Sequence, residues 1–174
     1  MIRIGTFFAL FVVSMFVGWN AMNWAIPKVI MIKVMEGLAE RGAGVNTMTR
    51  NGPPDPYRQL VVRPSPDLLY STCVYDLDGG PLRINIGPTN GYLSVSFYDH
   101  ITNNYETLTG DLITQQRSNI ILVQKGQDAS SGPHVITSPS EKGLVLVRRR
   151  ISGKDSLPDM QAAQANDACA TLTL

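Results

Sequence analysis

Asp99 and His100 are neighbours in this chain, and a carboxylate beside an imidazole can exchange protons near neutral pH. Arg63 with its fixed charge, or Tyr70 with its hydroxyl, would assist such a pair. Neighbours along a strand point to opposite faces, so Asp99 and His100 cooperate only if the chain turns between them. Cys73 and Cys169 are the two cysteines. Cys73 reads either as a small buried thiol or as half of a disulfide to Cys169. Such a bond would close a loop of about a hundred residues, for which a chain-entropy estimate gives up to ~4.7 kcal/mol. Arg148, Arg149 and Arg150 form the one cationic run, with Arg148 and Arg150 on one face of a strand and Arg149 on the other. Two readings stand for them: a solvated strand edge that discourages pairing, or contact with an anionic headgroup or an acidic partner.

Other chemistries find no support. With two histidines and two distant cysteines, no spacing resembles a zinc site. No Gly-x-Ser-x-Gly elbow, phosphate loop or dinucleotide fingerprint occurs, and no cofactor is expected. The 15 basic residues are otherwise scattered and the net charge is +1, so nucleic acid is not expected as a partner. Asp67, Asn103 and Asn104 suit turns held by side-chain bonds to the backbone, and Tyr70, Tyr98 and Tyr105 suit a partly buried aromatic cluster.

The elements that must carry these residues begin with a membrane segment. Ile4 to Ile26 contains no charge and is rich in Phe, Val, Leu and Met. As a helix it would be about 34 Å long, enough to cross a hydrocarbon core of about 30 Å. The run is apolar all round and too long for a core helix of a small domain, and no clean Ala-x-Ala cleavage site follows it. Trp19 and Trp24 suit the membrane interface, so a retained anchor is expected. Arg3 at its head favours an inside N-terminus, whereas Lys28, Lys33 and Arg41 pull the other end the same way. The signal-like head places the domain outside, in the periplasm of a bacterial inner-membrane protein.

Pro27 is expected at the edge of the span, with a second helical segment from Lys28 to Arg41. Met31, Val34, Met35 and Leu38 share one of its faces, and Lys33, Glu36 and Glu40 take the other. That stripe is an interaction surface for lipid headgroups, for the chain's own domain or for a neighbouring subunit. Gly42 and Gly44 end the helix, and the run from Asn51 to Pro56 is a breaker-rich linker. The organisation is thus an anchor over 1–26, an amphipathic helix and linker over 27–56, and a domain over 57–174.

That domain is mainly β. Short alternating or apolar runs between turn signals indicate an antiparallel β-sandwich, jelly-roll-like in character. Strands are predicted at Gln59–Arg63, Leu69–Leu77, Leu82–Ile86, Tyr92–Tyr98, Asn119–Gln124 and Leu144–Arg150. Leu82, Ile84 and Ile86, and likewise Leu93, Val95 and Phe97, mark the core sides of two of them. Asp78-Gly79-Gly80 and Asn90-Gly91 supply turn residues, which predicts a three-stranded meander from Leu69 to Tyr98. A short helix is expected around Met160 to Ala165, and a last strand or frayed end over Ala168 to Leu174.

Two segments are more specific than strand patterning requires: Arg63-Pro64-Ser65-Pro66-Asp67-Leu68-Leu69-Tyr70-Ser71 leading to Gly80-Pro81-Leu82, and Gly91 to Asp99 followed by Thr102-Asn103-Asn104-Tyr105. Together with Arg149-Arg150-Ile151 and Asp155-Ser156-Leu157-Pro158, they resemble the bacterial domain-of-unknown-function family 1254 over about residues 57 to 167. The resemblance implies an exported β-sandwich usually followed by a second domain, numbered 1214, which is not found before Leu174. It also implies that a separately encoded membrane-anchored protein supplies that half.

Two functions follow as expectations. One is a non-enzymatic accessory subunit or interaction module of a bacterial inner-membrane complex, partnered by the lipid bilayer and another membrane-anchored protein. The other is a membrane-anchored hydrolase-like enzyme whose site, around Asp99, His100 and Tyr70, is completed by a 1214-type partner.

Overall fold

The computed structural model describes residues 2–53, 55, 64–110, 119–127 and 134–172. Arg63 and the strand predicted at Gln59–Arg63 lie outside the described residues.

The chain opens with one helix, α1, Ile2–Arg41, which runs through Pro27 without a break. Two helical segments separated at that proline were expected. Proline removes one backbone hydrogen bond and crowds the preceding turn, yet its φ is already helical. A break beside a lipid-facing segment would leave several backbone groups without partners, and the turns beyond Pro27 are held by packing on the domain. From Ile4 to Ile26 the large apolar side chains of α1 are exposed, and this helix is long and apolar enough to cross a membrane.

Nine strands follow among the described residues. A five-stranded sheet has the order β1 (Thr49–Arg50), β2 (Leu68–Asp76), β8 (Lys142–Arg150), β4 (Leu93–Tyr98), β5 (Asn104–Thr109), all antiparallel. A four-stranded sheet has the order β7 (Val135–Ser138), β6 (Asn119–Gln124), β3 (Leu82–Asn85), β9 (Ala168–Thr171), with β6 and β7 the parallel pair. A 3-10 turn at Lys154–Ser156 leads into α2, Leu157–Ala165, with Pro158 in its first turn. The two sheets close on one core of Cys73, Tyr75, Leu77, Leu82, Ile84, Val95, Phe97, Ile120, Leu122, Val145 and Val147, among others. The expected core sides of β3 and β4 line that core, while on β4 Ser94 and Ser96 of the opposite face are buried as well.

The meander from Leu69 to Tyr98 does not form. β2 and β4 lie in one sheet with β8 between them, while β3 belongs to the other sheet between β6 and β9. Turn residues show where a chain reverses, whereas the sheet a strand joins depends on partners distant in sequence. The turn at Gly80, with φ of +115°, therefore carries the chain across the sandwich instead of closing a hairpin. β1 lies just before the breaker-rich run at Asn51, within the 27–56 stretch read as helix and linker, and Asn46, at φ +56°, precedes it: its side-chain amide exchanges bonds with the Asp76 backbone at 2.7 and 2.8 Å.

The second half of α1 rests on the outer face of the five-stranded sheet. Met31 and Leu38 are buried there against Val74 and Leu144, with Met35 and Tyr98 packed alongside. Val34, on the same predicted stripe, is exposed. Of the three surfaces open to that stripe, the chain's own domain covers Met31, Met35 and Leu38.

Candidate functional site

The tertiary structure separates the proton-transfer candidates. Asp99 is buried just past β4, and its Oδ1 accepts the backbone N–H groups of Ile101 (2.9 Å) and Asn103 (2.8 Å). Oδ2 accepts from the Asn103 side chain at 3.0 Å. The carboxylate thus closes the turn that carries Thr102 at φ +72°. His100 is exposed, and its backbone N–H, not its ring, bonds Ser140. Tyr70 lies opposite Arg148, four β2 positions from the row of Val74, Leu144 and Tyr98, and Asp99 is the next residue after Tyr98. About five residues along the strands and two strand spacings across them put it about 20 Å from Asp99. Its hydroxyl accepts the Ser65 N–H at 2.9 Å, a local loop contact.

The predicted tyrosine cluster has different members. Tyr75 and Tyr105 meet, hydroxyl to hydroxyl, at 3.2 Å, while Tyr70 and Tyr98 point to the other face of the sheet. Tyr75 also lies 2.9 Å from Ser138 Oγ on β7, joining the two sheets, and donates to the Tyr98 carbonyl at 3.1 Å. Burial raises both phenols above the usual tyrosine value, Tyr105 strongly. Gly143 is required beneath them, because a Cβ there would collide with the Tyr75 ring and the Tyr98 carbonyl.

The arginine run corrects another expectation. β8 is the middle strand of five, so these residues do not guard an edge. Arg149 faces the core and is fully buried against Asp167, with Nη1 to Oδ2 and Nη2 to Oδ1 both at 2.6 Å. Asp167 further accepts from Ser71 Oγ (2.6 Å) and the Gly87 N–H (2.9 Å), and Arg149 Nη2 donates to the Gly87 carbonyl (2.9 Å). Arg50 donates to the backbone carbonyls of Gln164 and Asp167, and Gln164 donates to those of Asn51 and Tyr70. This polar knot fixes α2 and the start of β9 onto β1, β2 and β8. The alternation of Val145, Val147 and Arg149 is the sequence signal that puts Arg149 inward; nothing comparable marks Asp167.

Cys73 on β2 and Cys169 on β9 are joined by a disulfide, with Cα atoms 6.4 Å apart, so the bond ties one sheet to the other. Arg148 and Arg150 stay on the outer face, where Arg148 Nη2 donates to Ser96 Oγ (2.8 Å) and Ser94 Oγ (3.2 Å). Among the described residues no group of three or more His, Cys, Asp or Glu could hold a metal ion.

The family described as "Protein of unknown function (DUF1254)" matches residues 45–171, which is the whole sandwich from Val45, just before β1, to the end of β9. The chain belongs to the DUF1254 family. No curated protein matches it. Among solved structures, this DUF1254 chain is similar to the VPA0106 protein from Vibrio parahaemolyticus, with a TM-score of 0.59 at 8% identity over 80% of this chain and 34% of that one. It also matches an uncharacterized protein from Burkholderia cenocepacia, with a TM-score of 0.48 at 16% identity over 72% of this chain and 37% of that one. The chain therefore spans about a third of the length of these solved structures. The first likeness extends to the fold of the DUF1254 sandwich and to nothing beyond it.

Proposed function

We propose that this protein is a non-enzymatic accessory subunit or interaction module of a bacterial inner-membrane complex, anchored by α1 with its sandwich on the periplasmic side. The observation that carries the reading is the fate of the catalytic candidates: Asp99 holds a turn, the His100 side chain in that turn is exposed, and Tyr70 lies at the other end of the sheet. What remains prominent is a presentation device. Near the end of the exposed apolar run from Ile4 to Ile26 stands Trp24, over whose ring Lys28 Nζ sits at 3.4 Å, a pairing suited to the membrane interface. The Cys73–Cys169 bond favours an oxidising compartment, in keeping with the periplasmic side.

The test is extraction of native membranes in mild detergent, followed by identification of what travels with the chain, alongside an alkaline-phosphatase fusion to the sandwich. The expected result is a discrete complex and an active fusion. A chain that purifies alone overturns the reading. A complex that hydrolyses a substrate only when both chains are present would assign the alternative, an enzyme site completed by a separately encoded partner.

A further inference from the structure

On the outer face of the five-stranded sheet, beside α1, Arg148 occupies a position with no counter-charge among the described residues. It is half-buried, and among the described residues neither it nor Arg150 forms an ion pair. Both of its hydrogen bonds leave from Nη2 and end on neutral serine hydroxyls, while its Nε is buried without a partner. Ser94 and Ser96 are themselves buried, and Thr107 Oγ1 lies 3.3 Å from Ser96 Oγ, so the guanidinium sits in a patch of hydroxyls. Exposed Arg150, two residues further along β8, adds a second positive charge to the same face. A desolvated guanidinium without an anion is costly, and its remaining N–H groups lack the acceptor that a carboxylate offers as a matched fork.

Position selects the source of that carboxylate. α1 covers the row Val74 and Leu144 and ends near Thr49, which is opposite Thr72, and the row of Tyr70 and Arg148 lies beyond that end. From Lys28 at the membrane edge to Arg41 the helix rises about 20 Å. The headgroup layer is only about 5–7 Å thick on each side, so lipid phosphates stand too far below Arg148. We infer that Arg148, with Arg150 at its rim and the hydroxyls of Ser94, Ser96 and Thr107 around it, receives a carboxylate from an acidic segment of a partner protein. The inference rests on the interaction-module reading and gives the partner's contact its chemistry.

The full chain in detergent micelles is titrated with fluorescently labelled hexaglutamate, and in parallel with hexaglutamine, inorganic phosphate and phosphatidylglycerol vesicles. Hexaglutamate is expected to bind in a salt-sensitive manner and hexaglutamine not to bind. Arg148→Gln should weaken binding by about tenfold or more, the scale of one charge-assisted bond, with the thermal midpoint unchanged or raised. Equal binding by Arg148→Gln, or binding of phosphate or vesicles in preference to hexaglutamate, overturns the site. Should Arg148→Gln not fold, exposed Arg150→Gln decides: a weaker hexaglutamate complex supports the site and an unchanged one overturns it. A membrane complex that survives Arg148→Gln with undiminished affinity overturns the site but leaves the interaction module standing. A chain that purifies alone yet binds hexaglutamate through Arg148 does the reverse.

Discussion

Arg149 on β8 and Asp167, just before β9, form a two-pronged ion pair at 2.6 Å with both side chains sealed from solvent. It joins the centre of one sheet to the entry of the last strand of the other, and so ties together the same two sheets that the Cys73–Cys169 bond connects from β2. The pair's own net contribution is small, because desolvating two charges offsets most of their attraction. Breaking it is another matter. Asp167→Ala leaves the Arg149 guanidinium buried and the Ser71 hydroxyl and Gly87 N–H without their acceptor. The expected loss is about 3–5 kcal/mol, read by denaturant unfolding. Replacing both charged partners with apolar residues of similar volume should cost less than Asp167→Ala alone; a larger loss would show that the pair is net stabilising.

The disulfide makes a second prediction. Cys73 and Cys169 are 96 positions apart, so their bond restricts a large part of the unfolded chain. Reduction, or Cys73→Ser with Cys169→Ser, should lower stability by about 2–5 kcal/mol. The check is a thermal melt with and without reductant, paired with a mobility shift on a non-reducing gel.

Alkaline pH should destabilise the fold. Burial raises the Tyr75 and Tyr105 pKa values above the ordinary tyrosine value of 10.0. A raised pKa means that the folded state resists ionisation. The stabilisation is therefore complete below about pH 10, where unfolded tyrosines are neutral, and is lost as pH rises beyond it. In an ultraviolet titration these two phenols should ionise only together with unfolding, after the exposed tyrosines. Early, reversible ionisation of all six tyrosines would contradict their burial.

Asp99 and His100 should respond differently to replacement. Asp99→Ala removes the acceptor of three bonds that hold the turn at Thr102, which should cost about 1–3 kcal/mol. His100→Ala alters an exposed ring and should change stability by less than about 0.5 kcal/mol. Neither should diminish partner co-purification once folding is restored at lower temperature. Abolition of a function by His100→Ala, with stability intact, would return the pair to a catalytic role.

Much of this architecture is legible in the residues alone, because local patterns encode local geometry. The charge-free run from Ile4 to Ile26 defines the apolar helix, and alternation of Leu93, Val95 and Phe97 with Ser94, Ser96 and Tyr98 defines both faces of β4. The segments shared with family 1254 indicate the sandwich, and Asn119–Gln124 is a strand with the bounds its apolar run suggests. Three things required the tertiary structure. Pro27 carries a local signal for a break, but docking of Met31 and Leu38 on Val74 and Leu144 holds the helix on its far side. The glycine turns mark reversals, but pairing with β8 and β6, both distant in sequence, sorts β2 and β4 into one sheet and β3 into the other. Arg148, Arg149 and Arg150 are chemically alike in the sequence. Alternation along β8 turns Arg149 inward and Arg148 and Arg150 outward, but only the folded chain sets Asp167 opposite Arg149 and, among the described residues, no anion opposite the other two, because side-chain direction is local whereas what lies opposite is not.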